Sequence, residues 1–191
     1  SDNKLQGYKS RHLPKKFGYG NVGKTGLSND LSGQHKFQNG GKYLIITGGE
    51  LDKCAAQTMF RDYQVSRNQD EYGHYAVVSP TTGEGTAAKQ CAAQYDFIDT
   101  FENVVVCMDM DDAGKKAAKE LVKVLPKHKV KVMKMAGKDA NKMLLDGKHK
   151  QFISNFFEAK SLVDTGSHSS VEAFKGVRES LLAEKIKFPP M

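Results

Sequence analysis

Residues 103–118, NVVVCMDMDDAGKKAA, decide the fold. Asn103–Asp109 (NVVVCMD) reads as a strand, its apolar run unbroken by polar alternation. Three acids, Asp109, Asp111 and Asp112, crowd its end. A stretch with helical spacing then runs over Ala113–Leu125 until Pro126 stops it. Working outward, Lys42–Thr47 (KYLIIT), Tyr75–Ser79 (YAVVS) and Lys129–Met135 (KVKVMKM) read as further strands. Helical spacing fills residues 52–63, Thr86–Phe101, Ala140–Leu145 and His149–Ala159. Strands alternating with helices at this interval predict an α/β protein, a parallel sheet with helices on both faces.

Flanking segments differ in character. Residues 1–41 hold 8 of the 18 glycines and a net charge of +5, most of the +7 carried by all 191 residues. They predict a small, basic, β-rich N-terminal subdomain over 1–40, ahead of an α/β domain over 41–160. Positive charge gathered at one end suits contact with phosphates, and equally a solvated basic face. Ser161–Ser170 has the composition of a linker, and Val171–Lys185 reads as one amphipathic helix. A start at Ser1 without methionine suggests a fragment. No stretch approaches the ~20 apolar residues of a membrane span, and no charged-then-apolar leader opens the chain, which excludes a membrane protein and an unprocessed secreted precursor. The three cysteines, Cys54, Cys91 and Cys107, lack metal-ligand spacing, so they read as buried free thiols and no zinc site is expected.

Ligands of an open parallel sheet sit beyond the carboxyl ends of its strands. Acids collect at three such ends: Glu50 and Asp52 after the first strand, Asp109, Asp111 and Asp112 after the third, Asp139 after the fourth. Asp109 and Asp111 are two apart, so on extended backbone they face the same way. Converging carboxylates form a hard oxygen site suited to Mg²⁺ or Mn²⁺. A helix cap at Asp111 or Asp112 accounts for one acid but not for acids at three strand ends.

Strand–GGELD–helix (Gly48–Asp52) followed by strand–DMDDAGKKAA (Asp109–Ala118) resembles the TOPRIM domain of primases and topoisomerases. KDAN (Lys138–Asn141) and GEGTAAKQCAAQYDFID (Gly83–Asp99) are similar to the primase half of phage-type primase–helicases, to which Twinkle is related. The resemblance implies metal-dependent synthesis of short RNA primers on a single-stranded DNA template from ribonucleotides. Asp109, Asp111 and Glu50 would hold the metal, with Asp52 and Asp139 as further catalytic acids. It implies zinc-binding and helicase domains in a longer parent chain, with no membrane partner. The expected compartment is the cytoplasm of an infected bacterium, or a mitochondrion or plastid for a Twinkle-type relative. Lys9, Arg11, Lys15 and Lys16 are the candidates for contacts to nucleic acid.

One position departs from the family pattern. Where it reads Thr-Glu-Gly-Glu, this chain has Thr47-Gly48-Gly49-Glu50. Glycine offers neither a ligand nor a proton acceptor. Glu50 then serves in a shifted role, or the domain is a weakened version kept for binding single-stranded DNA beside a helicase, or the glycine is an introduced substitution. Gly48→Glu is expected to restore the acid at little cost to the fold, since the position lies at an open strand end.

Two other readings compete. Gly18–Thr25 (GYGNVGKT) matches the phosphate-loop pattern GxxxxGK[ST], but that mechanism needs a buried strand before it and a helix after it. RHLPKKF and GLSNDLSG supply neither. A TOPRIM nuclease or topoisomerase piece is disfavoured because no tyrosine-bearing cleavage domain is visible. The six histidines have no paired spacing and read as surface residues.

Overall fold

The computed structural model describes residues 5, 7–12, 16–18, 23, 26–69 and 74–161. The expected linker and helix beyond residue 161 fall outside them, as do Lys15 and most of the Gly18–Thr25 motif.

Four parallel strands form the sheet: β3 (Gly41–Thr47), β4 (Ala76–Val78), β5 (Phe101–Cys107) and β6 (Val130–Val132), in the order β4-β3-β5-β6. Ahead of them, β1 (Ser10–His12) and β2 (Lys16–Gly18) pair antiparallel as a separate two-stranded ribbon. Side chains of a strand alternate between faces, and both faces of this sheet are buried. Leu44, Ile46, Val104 and Val106 join one core with residues of α2 (Ala87–Ala93) and α4 (Asp112–Val124). Ile45, Val77 and Val105 join the other with α1 (Glu50–Ser66), α5 (Ala140–Leu145) and α6 (His149–Phe157). Within that second core Phe60 stacks on Tyr75 at 4.4 Å between ring centroids and meets Phe156 edge-on at 4.9 Å. The parallel α/β architecture expected from the strand runs is therefore the one observed.

Three local expectations need correction. The helix expected over Thr86–Phe101 is two helices, α2 and α3 (Tyr95–Asp99), separated at Gln94. Gln94 points its amide at the 28–34 segment, accepting from Gln34 Nε2 at 2.8 Å and donating to Ser28 O at 3.3 Å. Phe101 belongs to β5, where it pairs with Gly41 and is buried, so packing overrides its helical spacing. The last strand is shorter than Lys129–Met135: its pairing with β5 ends at Val106 and Val132, and on its outer edge Val132 and Lys160 exchange backbone hydrogen bonds of 2.7 and 3.2 Å. Cys91 and Cys107 are buried thiols, but Cys54 is exposed on α1.

Residues 28–36 lie against the β4 side of the sheet. Ser32 and Ser79 exchange backbone hydrogen bonds of 2.8 and 3.2 Å, and the buried Gln90 donates to Asn29 O at 3.0 Å.

Candidate metal centre

The chain leaves β3 in one direction, through α1 to β4, and leaves β5 in the other, through α4 to β6. The carboxyl ends of β3 and β5 therefore flank a topological switch point, where open α/β sheets form a crevice. Thr47 closes β3; its buried hydroxyl lies 3.2 Å from Gly49 O and 3.3 Å from Val78 O, so it holds the outgoing turn against β4. That turn places Glu50 and Asp52 in the first turn of α1.

Across the crevice, Asp109 follows β5 by two residues. Met110 N–H donates to Lys138 O at 2.7 Å, which draws the 136–139 turn onto the end of β5. Asp139 caps α5, accepting from Lys142 N–H at 2.6 Å, and Asp52 accepts from Asn141 N–H at 3.0 Å. Both bonds satisfy orphan donors at a helix start. Asp52, Asp109 and Asp139 thereby each present a carboxylate oxygen within 4.8 Å of the other two.

Such proximity is costly without a counter-charge. Burial, then the neighbouring carboxylates of Glu84, Asp52, Asp139 and Asp111, push Asp109 up to about 7. Partial burial and like charge both disfavour the ionised form. Three hard oxygens at this separation fit Mg²⁺ or Mn²⁺, which would remove the repulsion.

The residues nominated from sequence separate into groups. Asp52, Asp109 and Asp139 are brought together. Asp111 is exposed and serves as the N-cap of α4, its Oδ1 accepting from Gly114 N–H at 2.9 Å; it lies outside the trio although its charge reaches Asp109. Glu50 is also outside the trio and pairs with Lys9, Nζ to Oε1 2.7 Å. That ion pair joins the basic N-terminal segment to the first turn of α1. Arg11 and Lys16 lie on the two strands of the antiparallel ribbon, at adjacent register positions. Sequence reasoning missed Glu84. The available signal was an acid between two glycines, Gly83-Glu84-Gly85, beyond the one strand end for which no acid had been nominated.

Comparison with known proteins gives these features a family. A model described as Toprim-like matches residues 63–144. Over 146 residues, 76% of this chain, the sequence is 35% identical to the DNA helicase/primase of Enterobacteria phage T3. The chain spans only 24% of that relative's length. Among solved structures, it is similar to a chain in the complex of bacteriophage T7 lagging-strand DNA polymerase interacting with primase domains of two gp4 subunits bound to an RNA/DNA hybrid and dTTP. There the TM-score is 0.67 at 35% identity, covering 80% of this chain and 70% of that one. The primase fragment of the T7 primase–helicase gives 0.66 at 35% identity, covering 78% of this chain and 56% of that one. The zinc-binding and RNA polymerase domains of Aquifex aeolicus primase share the fold, with a TM-score of 0.57 at 16% identity, over 91% of this chain and 41% of that one. This chain belongs to the TOPRIM primase family of phage-type DNA primase–helicases.

Proposed function

We propose that this chain polymerises ribonucleotides into short primers on single-stranded DNA, as the primase part of a primase–helicase. The observation that carries the reading is the convergence of Asp52, Asp109 and Asp139 beyond the β3 and β5 ends in a chain of this family. Asp52, Asp109 and Asp139 would hold Mg²⁺ or Mn²⁺, which in such sites neutralises nucleotide phosphates and stabilises attacking and leaving oxygens. The protein's own part is positioning. The Met110–Lys138 bond and the Asp52–Asn141 bond fix three carboxylates that come from separate elements. Lys9 lies beside the site through Glu50, and Arg11, Lys15 and Lys16, close to it in sequence, are the further basic residues proposed to contact the template. The T7 complex, with its RNA/DNA hybrid and dTTP, supports a template strand and nucleotides as ligands. Zinc-binding and helicase domains of the parent are the proposed partners. The relatives named are of phages and a bacterium, which favours the cytoplasm of an infected host over an organelle. No described helix is long and apolar enough to cross a membrane.

Gly48 favours a second reading, a module that binds single-stranded DNA for its helicase without synthesis. Template-directed incorporation of labelled ribonucleotide, with Mg²⁺ and a zinc-binding domain supplied in trans, separates the two. Incorporation that Asp109→Asn abolishes supports the primase. Binding of single-stranded DNA with no incorporation by the unaltered chain leaves only the binding module.

A further inference from the structure

The space above Gly48 is occupied, which corrects the expectation of an open strand end that takes a side chain at little cost. A Cβ at that position would lie 2.5 Å from Glu84 Oε1 and 3.2 Å from the Cδ and Cγ of the same side chain. Gly48 is not among the glycines with positive φ, so the backbone itself does not demand glycine there. The same Glu84 oxygen accepts from Asp109 N–H at 3.4 Å. Glu84 therefore stands between the carboxyl ends of β3 and β5, beside the aspartate trio although outside its 4.8 Å grouping.

The loop that delivers Glu84 is fastened from below. Gln90, fully buried, accepts from Thr81 N–H at 2.9 Å while donating to Asn29 O at 3.0 Å. Thr86 Oγ1 lies 2.7 Å from Thr82 Oγ1, bracing the short turn Glu84–Thr86 at both ends. These bonds fix the backbone from which the half-buried Glu84 side chain extends to the Asp109 N–H.

We propose that Glu84 is the fourth carboxylate of the cation site, brought in from the β4 side to the place a side chain at position 48 would fill. On this account Gly48 is glycine because a carboxylate from another element already stands there. The site keeps four acids while one of them has changed its origin in the sequence. The role in primer synthesis rests on the primase reading; the role in cation binding does not.

The experiment is a positional exchange read by Mn²⁺ titration of the 191-residue chain, followed by paramagnetic resonance, with ribonucleotide incorporation as a separate arm. Glu84→Gln should weaken Mn²⁺ binding by roughly tenfold or more, within the range seen when groups around a metal are altered. Gly48→Ala adds no acid and removes none, yet its Cβ must push the Glu84 carboxylate aside, so Mn²⁺ binding should weaken there too. Gly48→Glu combined with Glu84→Ala should recover affinity to within about threefold of the unaltered chain, a coupling that two independent sites would not show. Gly48→Glu alone places two carboxylates in one space and should bring no gain. Circular dichroism checks folding, and Gly48→Ala serves if Glu84→Gln is poorly folded. Unchanged Mn²⁺ affinity in Glu84→Gln and Gly48→Ala, or an exchange variant no better than Glu84→Ala, overturns the assignment. If the Mn²⁺ pattern holds while no variant incorporates ribonucleotide, Glu84 stands as a site carboxylate and the primase reading falls. If the unaltered chain incorporates ribonucleotide and Glu84→Gln matches it in both arms, the reverse holds.

Discussion

Asp52 Oδ1 accepts a 3.0 Å hydrogen bond from the backbone N–H of Asn141, 89 residues away in sequence. The first turn of α1 and the first turn of α5 are thus tied together by one member of the aspartate trio. Asp52 is a structural acceptor and a candidate ligand at once.

These two roles separate by substitution. Asp52→Asn keeps an oxygen acceptor and should hold α5 in place while losing cation affinity. Asp52→Ala should lose both, with a further cost of about 1–3 kcal/mol for the half-buried bond to a charged group. Thermal unfolding alongside Mn²⁺ titration resolves the pair. Equal stability of the two variants would show that the Asn141 bond contributes nothing.

Asp109 and Asp111 should respond differently despite their spacing. Asp111→Asn preserves the N-cap of α4, since asparagine caps as well as aspartate, and should leave stability nearly unchanged. Asp111→Ala should cost about 1 kcal/mol. Asp109→Asn should remove the cation site and leave α4 intact. Denaturant unfolding and calorimetric titration with Mg²⁺ would measure both effects; loss of cation binding in Asp111→Asn equal to that in Asp109→Asn would return Asp111 to the ligand set.

The raised Asp109 carboxyl fixes a pH dependence. Its value moves from 3.8 to about 7 on folding, so the folded protein binds this proton more tightly than the unfolded chain does. The stability it contributes is fully present below 3.8 and is lost as pH rises through about 7. In chelator, Asp109→Asn should therefore gain stability relative to the unaltered chain as pH is raised from 4 to 8, and Mg²⁺ should cancel that advantage. A stability difference independent of pH would contradict the crowding of carboxylates at this site.

Gly114 lies where α4 passes the backbone of Asp109, and a Cβ there would collide with the Asp109 carbonyl oxygen and carbon. Gly114→Ala improves helix propensity in principle, yet overpacking against backbone should cost about 1–3 kcal/mol and shift Asp109. The variant should melt earlier and bind Mn²⁺ more weakly. A stabilised variant would show that the approach is looser than the structure has it.

Basic residues of the N-terminal segment should make single-stranded DNA binding strongly salt-dependent, with a log–log slope of about −0.7 for each phosphate neutralised. Changing Arg11, Lys15 and Lys16 to alanine should flatten that slope. Lys9→Ala should do so less, since Lys9 already spends its charge on Glu50 at 2.7 Å. Filter binding across a salt series reads each slope; no change in any variant would leave the segment as a solvated face.

Much of this protein was legible in one dimension. The runs KYLIIT and NVVVCMD announced strands, because hydrophobic pattern and strand period are local properties of the chain. Acids one to a few residues beyond those runs marked the edge where the candidate site lies, since a parallel sheet sends every strand end to the same edge. What sequence could not decide was which acids meet. Asp109 and Asp111 share a strand direction only if the backbone stays extended, and the start of α4 turned Asp111 into a cap instead. Asp52 and Asp139 joined Asp109 through contacts between residues far apart in the chain, fixed by the stacking of α1 and α5 on one face. The empty position at Gly48 is filled by Glu84, whose arrival depends on the path of the loop after β4 and on Gln90 beneath it. Convergence of side chains from separate elements is set by packing, and packing exists only once the chain has folded.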